Sequence, residues 1–240
     1  MVGKKWLKLI KSLHQKKYRT QHQLFFVEGK KVVHELLASK MEAVLVLAYP
    51  EYIDDFQDTE KAVISAKELQ TISALKNPNG VLAVFRIPEK NPVATDQWMV
   101  ALDDVRDPGN LGTILRLCDW YGIEQVVCSN ATVDAYNPKV LQATMGSISR
   151  VQVLYTNLDE FLASLDIPIF GAFMDGTSVY ECEWPKAGVL VMGNEGKGIS
   201  SEVAINIGKR VSIPQFGAKT AESLNVAMAT GILLNELRRE

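Results

Sequence analysis

The chain of 240 residues is poor in cysteine and histidine and contains no long apolar run. Its three cysteines, Cys118, Cys128 and Cys182, form neither a Cys-x-x-Cys pair nor a cluster with histidine, and the three histidines all lie within the first 34 residues. Zinc sites are built from such clusters, so no metal site is expected. A membrane helix needs roughly 18 consecutive apolar residues, and none is expected here. The scattered cysteines fit a reducing compartment, so we expect a cytoplasmic protein without a membrane span.

The N-terminal stretch MVGKKWLKLIKSLHQKKYRT is basic but does not resemble a signal peptide. It lacks the uninterrupted apolar core and the small-residue cleavage site that such a peptide needs. Trp6, Leu9, Ile10 and Leu13 recur instead at helical spacing, which predicts an amphipathic helix.

Charge is distributed unevenly, although the net charge of the whole chain is only −2. Residues 1–31 contain nine Lys and Arg residues and one acid, a net charge of +8, and the rest of the chain carries a net charge of −10. A run of basic residues is often only the solvated face of a helix. Eight net positive charges within 31 residues are a stronger signal than that, so we favour binding to a polyanion.

The order of predicted strands and helices divides the chain into two α/β domains. The first third combines helices with short buried strands, and a stretch with two prolines at about residues 88–97 predicts a linker. Beyond the linker, strands and helices alternate, which predicts a mostly parallel sheet covered on both faces. We therefore predict a smaller α/β domain over residues 1–94 and a larger one over residues 97–240.

Three polar loops that contain glycine each follow a predicted strand of the larger domain. They are RDPGNLG, NEGKGIS and QFGAKTAESLN. Ligands of parallel α/β domains bind at the carboxyl ends of strands, so these loops predict one shared site. A Walker A loop is excluded because Lys197 is followed by Gly198, and the glycines of NEGKGIS do not have the spacing of a dinucleotide-binding loop.

Each polar residue of these loops also has an ordinary structural explanation. Asn110 could cap the helix that begins after RDPG, and Glu195 could be a solvated loop acid. Arg116 could pair with Asp103 or Asp104 at the end of the preceding strand. Taken singly, Asn110 and Glu195 favour the structural explanation, and Arg116 favours neither explanation over the other. Taken together, the three loops favour function for all three residues.

The three loops together resemble the motifs of the SpoU–TrmH family of RNA ribose 2′-O-methyltransferases. NLGTILR, with Asn110 and Arg116, matches the first motif, and VMGNEGKGIS, with Glu195, matches the second. VSIPQFGAKTAESLNVAMATGILLNE, with Ile213 and Asn225, matches the third. The resemblance covers residues 97–240. SLHQKKYRTQHQLFFVEGKKVVHE, in the first third, is similar to the accessory substrate-binding domain of members that modify ribosomal RNA.

The resemblance implies a fold, a reaction and a set of site residues. It implies a deep trefoil knot at the C-terminus, S-adenosyl-L-methionine as the cofactor, RNA as the partner and a homodimer. The implied catalytic residues are Arg116, Asn110, Glu195, Ser223 and Asn225. The implied cofactor-binding residues are Gly193, Ile213 and Leu224, with Met192, Asn194 and Gly196 beside them and Thr144 as a weaker candidate. Within the basic N-terminal segment, the predicted RNA-binding residues are Lys11, Lys16, Lys17, Arg19 and Lys30.

Ribosomal RNA of the large subunit is the preferred substrate because of the accessory domain, with transfer RNA as the alternative. Two other functions stay open. The chain could be an RNA-binding protein that retains the fold without catalysis, or an α/β enzyme that binds a small nucleotide. Binding of S-adenosylmethionine separates the methyltransferase from both.

Overall fold

The computed structural model describes residues 2–57, 59–217 and 223–239, so part of the third motif, Ala218 to Glu222, lies outside the described residues. The chain divides into two compact units. The first combines Met1–Glu89 with Asp134–Ser149, and the second combines Lys90–Val133 with Arg150–Glu240.

Helices and strands alternate along most of the chain. In chain order the elements are α1 (Lys4–Ser12), α2 (Lys16–His22), β1 (Leu24–Glu28), α3 (Lys30–Leu37), β2 (Ala43–Ala48), β3 (Lys61–Val63), α4 (Ala66–Ile72), β4 (Val81–Arg86), β5 (Trp98–Leu102), α5 (Pro108–Trp120), β6 (Gln125–Ser129), α6 (Pro138–Thr144), β7 (Gln152–Thr156), α7 (Leu158–Ala163), β8 (Ile169–Ser178), β9 (Gly188–Met192), α8 (Ser201–Ala204), β10 (Lys209–Ser212) and α9 (Val226–Leu237).

The first unit is built on a mixed sheet with the strand order β1-β4-β2-β3. Strands β1 and β2 are antiparallel to β4, and β3 is parallel to β2. The apolar face of α1, with Ile10 and Leu13, packs with Leu69 and Ile72 of α4 against this sheet. The helical spacing of apolar residues in the N-terminal stretch therefore reflects a buried helix face, as predicted.

Segment 134–149 belongs to the compact first unit, whereas the predicted domain boundaries assign it to residues 97–240. The ring of Tyr136 lies 4.8 Å from that of Phe25 in β1. Arg19 of α2 forms a buried ion pair with Asp134, and its Nη1 also donates to the carbonyl oxygens of Leu13 (2.8 Å) and His14 (3.0 Å). The contacts with Tyr136 and Asp134 join residues more than a hundred positions apart, and local sequence patterns do not report such pairings.

The second unit contains a six-stranded sheet with the order β10-β8-β9-β5-β6-β7. Every neighbouring pair in it is parallel, and strands β5 and β9 are buried along their whole length. Helix α5 lies against α9, and α7 lies against α8. The prediction of an α/β fold with a mostly parallel sheet is confirmed.

Strand β8 spans ten residues and α8 only four, and the basic segment forms a second helix, α2, beyond the predicted amphipathic one. Helix α9 is rich in apolar residues, but its Met228 side chain is 63% exposed. Among the described helices, none is long and apolar enough to cross a membrane, and the same residues contain no group of His, Cys, Asp and Glu that could hold a metal ion.

Candidate active site

The loops after β5 and β9 begin side by side. The two strands are paired so that Leu102 lies opposite Met192, at the carboxyl ends of both. From β5 the chain moves outward through β6 and β7, whereas β9, β8 and β10 lie on its other side. Such a reversal of strand order opens a crevice where ligands of parallel sheets bind.

Asp103 fastens the loop after β9 to the end of β5. Its buried carboxylate accepts hydrogen bonds from the backbone N–H and the hydroxyl of Ser200, at 2.8 and 2.7 Å. A buried carboxylate needs such partners, because a charge left without them costs several kcal/mol (about 3–5). Asp103 is therefore engaged by Ser200, and the described contacts do not include the suggested pair with Arg116.

Asn194 fixes the shape of the loop between β9 and α8. Its Nδ2 donates to the carbonyl oxygen of Asp104 (2.7 Å), and its Oδ1 accepts from the backbone N–H groups of Gly196 (2.9 Å) and Lys197 (3.0 Å). The backbones of Asn194 and Gly198 also pair with each other. Both the nitrogen and the oxygen of the Asn194 side-chain amide form hydrogen bonds within the protein. The Asn194 side chain therefore stabilises the conformation of this loop.

Gly193 is required by the way this loop folds back on itself. A Cβ atom at this position would lie 2.3 Å from the carbonyl carbon of Gly198 and from the backbone nitrogen of Ile199. Gly198 has φ +71°, a conformation that side chains rarely adopt. Closure of the loop therefore requires glycine at position 193, whether or not a ligand also approaches it. Gly196 is exposed and meets no such restriction.

Asn110, Glu195 and Asn225, which were predicted to be catalytic, form one hydrogen-bonded chain. Asn110 Nδ2 donates to Glu195 Oε1 (2.9 Å), and Asn225 Nδ2 donates to Asn110 Oδ1 (2.8 Å). Glu195 also accepts from the backbone N–H groups of Asp107 (3.3 Å) and Arg106 (3.5 Å). The chain joins residues from all three predicted motifs at one place.

Two helices begin at this hydrogen-bonded chain. The carboxylate of Asp107 caps α5 by accepting from the backbone N–H of Asn110 (2.8 Å). Asn225 caps α9, because its Oδ1 accepts from the N–H groups of Ala227 (2.9 Å) and Met228 (3.3 Å). Helix N-termini carry a partial positive charge and unpaired N–H groups, which favour anionic partners such as Glu195.

Arg116 and Ser223 do not take part in this hydrogen-bonded chain. Arg116 is exposed and lies six residues beyond Asn110 on α5, a rise of about 9 Å along the helix axis. Within the described parts of the chain, its guanidinium forms neither a hydrogen bond nor an ion pair. Ser223 is exposed at the start of the last described segment. Both side chains are exposed and so accessible to a ligand, and the donors of Arg116 have no partner among the described residues.

The predicted cofactor-binding residues differ in accessibility. Met192 is buried in β9, Ile213 is half-buried and Leu224 is exposed. Thr144 is fully buried in the first unit, and its hydroxyl donates to the carbonyl oxygen of Leu141 (2.8 Å). The Thr144 hydroxyl proton is therefore engaged within the first unit, and a cofactor contact of Thr144 stays a prediction.

The predicted RNA-binding residues include two that the structure engages elsewhere. Lys11, Lys16 and Lys17 are exposed. Arg19, by contrast, is only 3% exposed and pairs with Asp134, so it serves the interior of the first unit and does not present its charge to RNA. Lys30 forms an ion pair with Asp55 (2.7 Å) and lies over the ring of Tyr52, which partly neutralises its charge.

Arg106 and Asp104 lie beside the candidate site and were not predicted as site residues. Asp104 has φ +57°, an uncommon conformation for a residue other than glycine. Its Oδ1 accepts a hydrogen bond from Arg106 Nε at 2.7 Å, and this pair raises the pKa of the arginine. In the sequence, the available signal for Arg106 was its position between a predicted strand and the Asp-Pro that begins the next predicted helix.

The described residues offer this site directional polar groups and no nucleophilic thiol. Burial raises the pKa of the Cys118 and Cys128 thiols, so both stay protonated at neutral pH. The amide groups and the carboxylate at the helix N-termini can orient a polar substrate. An exposed guanidinium on the same helix can bind an anionic group such as a phosphate.

Two family models match the chain. The SpoU rRNA Methylase family matches residues 97–235, and the MRM3-like substrate binding domain matches residues 4–83. The first match covers more than half of the chain and includes Asn110, Glu195 and Asn225.

Individual relatives match over nearly the full length. The 23S rRNA (guanosine(2553)-2′-O)-methyltransferase RlmP of Bacillus subtilis (strain 168) is 32% identical over 95% of this chain and 94% of its own length. A solved structure of a TrmH-family protein from Porphyromonas gingivalis is 38% identical and superimposes with a TM-score of 0.91 over 99% of this chain and 98% of that one. An rRNA methyltransferase from Sinorhizobium meliloti with bound AdoMet is 29% identical, with a TM-score of 0.87 over 99% and 95% of the two chains.

Proposed function

Because this chain belongs to the SpoU rRNA methylase family, we propose that it transfers a methyl group from S-adenosylmethionine to a ribose 2′-hydroxyl of RNA. Large-subunit ribosomal RNA is the proposed substrate, which the name of the Bacillus subtilis relative supports. The observation that carries the proposal is the hydrogen-bonded chain of Asn225, Asn110 and Glu195, since it unites residues of three motifs where strands β5 and β9 end.

The residues near the third motif fit a cofactor with an apolar ring and polar edges. Phe216 and Leu224, on either side of the undescribed residues, expose large apolar side chains that a flat ring could cover. Ile213 is half-buried at the end of β10, and Gly193 adds no side chain to the neighbouring loop. When bound, S-adenosylmethionine supplies a methyl group on a sulfonium that needs little further activation.

The protein's task is to orient the ribose 2′-hydroxyl so that its oxygen takes the methyl group as the sulfur–methyl bond breaks, while the hydroxyl proton passes to solvent water. Reacting atoms must be held roughly 3–3.5 Å apart and in line. Asn110 is suited to orienting, because its amide is gripped at both ends by Glu195 and Asn225. Glu195 accepts hydrogen bonds from Asn110 and two backbone N–H groups, so we assign it the role of positioning Asn110.

Arg116 is proposed to bind the phosphate next to the target ribose and to stabilise negative charge that develops on the 2′-oxygen. A guanidinium is not deprotonated in proteins, so it is a poor general base but a good electrostatic clamp. Its exposure and its lack of partners among the described residues support this role. Ser223, exposed two residues before Asn225, is proposed as a further polar group of the same site.

We assign RNA binding to the N-terminal domain, residues 1–94, and methyl transfer to residues 97–240. The match of residues 4–83 to a substrate binding domain and the exposed lysines Lys11, Lys16 and Lys17 support this division. The family resemblance further leads us to propose a C-terminal trefoil knot and a homodimer. Trp120 and Met228, exposed on the paired helices α5 and α9, provide apolar surface for a second copy. Three free cysteines support a cytoplasmic location.

The proposal is tested with purified full-length protein, S-adenosylmethionine labelled in its methyl group and unmodified large-subunit ribosomal RNA. We expect methyl transfer to RNA by the wild-type protein. Arg116→Ala should lower kcat/KM for RNA by at least about a hundredfold, because one transition-state contact to charge is worth about 2.7–4 kcal/mol. Its affinity for S-adenosylmethionine, measured by calorimetric titration, should stay within about twofold.

Two results would contradict the proposal in different ways. A wild-type protein that binds RNA but neither binds S-adenosylmethionine nor methylates any RNA would be a non-catalytic RNA-binding protein. If the wild-type protein transfers methyl groups and Arg116→Ala is fully active, the proposed function stands. The role assigned to Arg116 is then wrong. Transfer RNA serves as the second substrate in the same assay, so a preference for it would redirect the substrate assignment.

A further inference from the structure

We propose that Arg106 binds a backbone phosphate of the RNA beside the candidate active site and thereby helps to set the affinity for substrate. This inference rests on the proposed function, because it names a further substrate contact of the same site. Arg106 lies outside the three motifs that were matched in the sequence and was not among the predicted RNA-binding residues.

Arg106 occupies the turn that connects the end of β5 to the start of α5. Its backbone N–H points to Glu195 Oε2 (3.5 Å), and the next residue along the chain, Asp107, donates to Glu195 Oε1 (3.3 Å). The Arg106 backbone therefore borders the chain of hydrogen bonds that contains Asn110. A nucleotide whose ribose reaches Asn110 brings its neighbouring phosphates into this region.

The guanidinium of Arg106 is fixed at one atom and open at the others. Its Nε donates to Asp104 Oδ1 at 2.7 Å, and the side chain is nevertheless 64% exposed. The two Nη groups form no hydrogen bond with the part of the chain that the structure describes. An arginine with its Nε anchored and both Nη groups free presents two parallel donors, which is the geometry that binds two oxygens of one phosphate.

Hydrogen bonds fix the backbone of Asp104, so its carboxylate is a well-positioned partner for the Arg106 guanidinium. Its backbone N–H donates to the hydroxyl of Ser129 (2.9 Å), and its carbonyl oxygen accepts from the side chain of Asn194 (2.7 Å). Its left-handed backbone, φ +57°, departs from the extended strand that precedes it. Such conformations cost free energy in residues other than glycine and persist where surrounding contacts enforce them.

The charges around Arg106 favour the same role. Asp104, Asp107 and Glu195 place three carboxylates near the start of α5. RNA carries a negative charge on every phosphate, so these carboxylates by themselves would repel it. Arg106 puts a cation on the exposed side of this group, where it can offset that repulsion. A structural ion pair alone would not require the guanidinium to remain mostly exposed.

The test compares Arg106→Ala, Arg106→Lys and a control, Arg239→Ala, in the full-length protein. Arg239 is similarly exposed (59%) and pairs with one carboxylate, that of Glu236, near the C-terminus. Steady-state methyl transfer to unmodified large-subunit ribosomal RNA gives kcat and KM. Binding of the same RNA at several salt concentrations gives the slope of log affinity against log salt, and thermal unfolding reports stability.

We expect Arg106→Ala to raise the KM for RNA roughly tenfold, because it removes both Nη donors to one phosphate and water partly replaces them at this exposed position, with kcat within about threefold. The salt slope should fall by about 0.7 to 0.9, the value for one lost phosphate contact. Arg106→Lys should recover most of the salt slope, since a lysine keeps the charge. Arg239→Ala should behave as wild type.

Three results would overturn the inference. One is an Arg106→Ala variant with the KM and salt slope of Arg239→Ala. Another is a loss of thermal stability that accounts for the loss of binding and is not recovered in Arg106→Lys, which would make Arg106 a structural residue. An inactive wild-type protein in the same assay would remove the proposed function and, with it, this substrate contact. The wild-type measurement thus separates the failure of one from the failure of the other.

Discussion

At the scale of single residues, the candidate site is defined by which atom of each side chain faces which partner. Asn110 donates from Nδ2 to Glu195 and accepts at Oδ1 from Asn225, so these two partners fix the orientation of its amide group. Asn225 is fixed in turn because its Oδ1 caps α9. Such reciprocal bonding orients polar groups in advance, which is how a site stabilises charge without first rearranging.

This arrangement predicts that Glu195 acts by position and not by accepting a proton from the ribose. Glu195→Gln retains an oxygen that can accept from Asn110 and from a backbone N–H, so kcat/KM for RNA should fall less than about tenfold. Glu195→Ala removes the acceptor and leaves Asn110 without its partner, so the loss should be at least about a hundredfold. Steady-state methyl transfer to RNA measures both variants.

If Glu195 were a general base, the losses of kcat/KM in Glu195→Gln and Glu195→Ala would differ from those expected above. Removing a base costs about 10²- to 10⁴-fold, and glutamine would lose it as fully as alanine does. Equal, large losses in Glu195→Gln and Glu195→Ala would therefore contradict the positioning role. Calorimetric titration with S-adenosylmethionine serves as the control, because a collapsed loop would also lose cofactor affinity.

The sequence left a purely structural explanation open for Asn110, Glu195 and Arg116. The structure tests each explanation separately. Asn110 is not the cap of α5, because Asp107 fills that position. Glu195 is not merely solvated, since Asn110 donates to it. The two aspartates suggested as partners of Arg116 are engaged by Ser200 and Arg106. The contacts of Asn110 with Glu195 and Asn225, and that of Asp103 with Ser200, join residues 85 to 115 positions apart, which local patterns do not bring together.

At the scale of elements, strands were predictable and their partners were not. Buried strands such as β5 and β9 read as continuous apolar runs, and their alternation with helices indicated the parallel sheet. Helix α2, with the sequence KKYRTQH, was missed because it has no apolar stripe. Its one buried residue is Arg19, which pairs with Asp134 and whose charge made it resemble a surface residue in the sequence.

The buried pair between α2 and segment 134–149 predicts a large effect on stability. Arg19→Ala leaves Asp134 without its cation, and Asp134→Ala leaves Arg19 buried without its anion. Removing one partner of a buried pair costs about 3–5 kcal/mol, so each variant should unfold at clearly lower denaturant concentration. Chemical unfolding followed by circular dichroism gives the free energy of unfolding.

A double variant supplies the control. Arg19→Met with Asp134→Leu removes both charges and keeps apolar volume, so it should recover most of the free energy of unfolding that either alanine variant loses. Similar stability of all three variants and wild type would show that the pair contributes little. Arg86→Ala, which breaks an exposed pair with Glu42, should cost less than about 1 kcal/mol.

At the scale of the whole molecule, the basic residues gather at one end of the sequence while the rest of the chain is acidic. Residues 1–31 carry a net charge of +8 against −10 for the remainder, so a substrate rich in phosphate is attracted to the first and repelled by the second. Because Arg19 is buried and Lys30 is paired with Asp55, the exposed lysines of α1 and α2 provide most of the attraction for RNA phosphates. The acidic remainder then requires local cations at the site of chemistry, as proposed for Arg106 and Arg116.

This division of charge predicts that reversing two exposed lysines of the basic segment weakens RNA binding more than the same change elsewhere on the first unit. Lys11→Glu with Lys17→Glu should lower affinity for large-subunit ribosomal RNA at least about tenfold. The slope of log affinity against log salt should fall by about 1.4 to 1.8, as expected for two lost phosphate contacts.

Lys67→Glu with Lys76→Glu is the matched control, because both lysines are exposed and the change in net charge is identical. If the two double variants lose affinity equally, net charge governs binding and the basic segment is not the RNA-binding surface. If only the first loses affinity while kcat at saturating RNA stays near the wild-type value, the lysines capture the substrate and residues 97–240 carry out the chemistry.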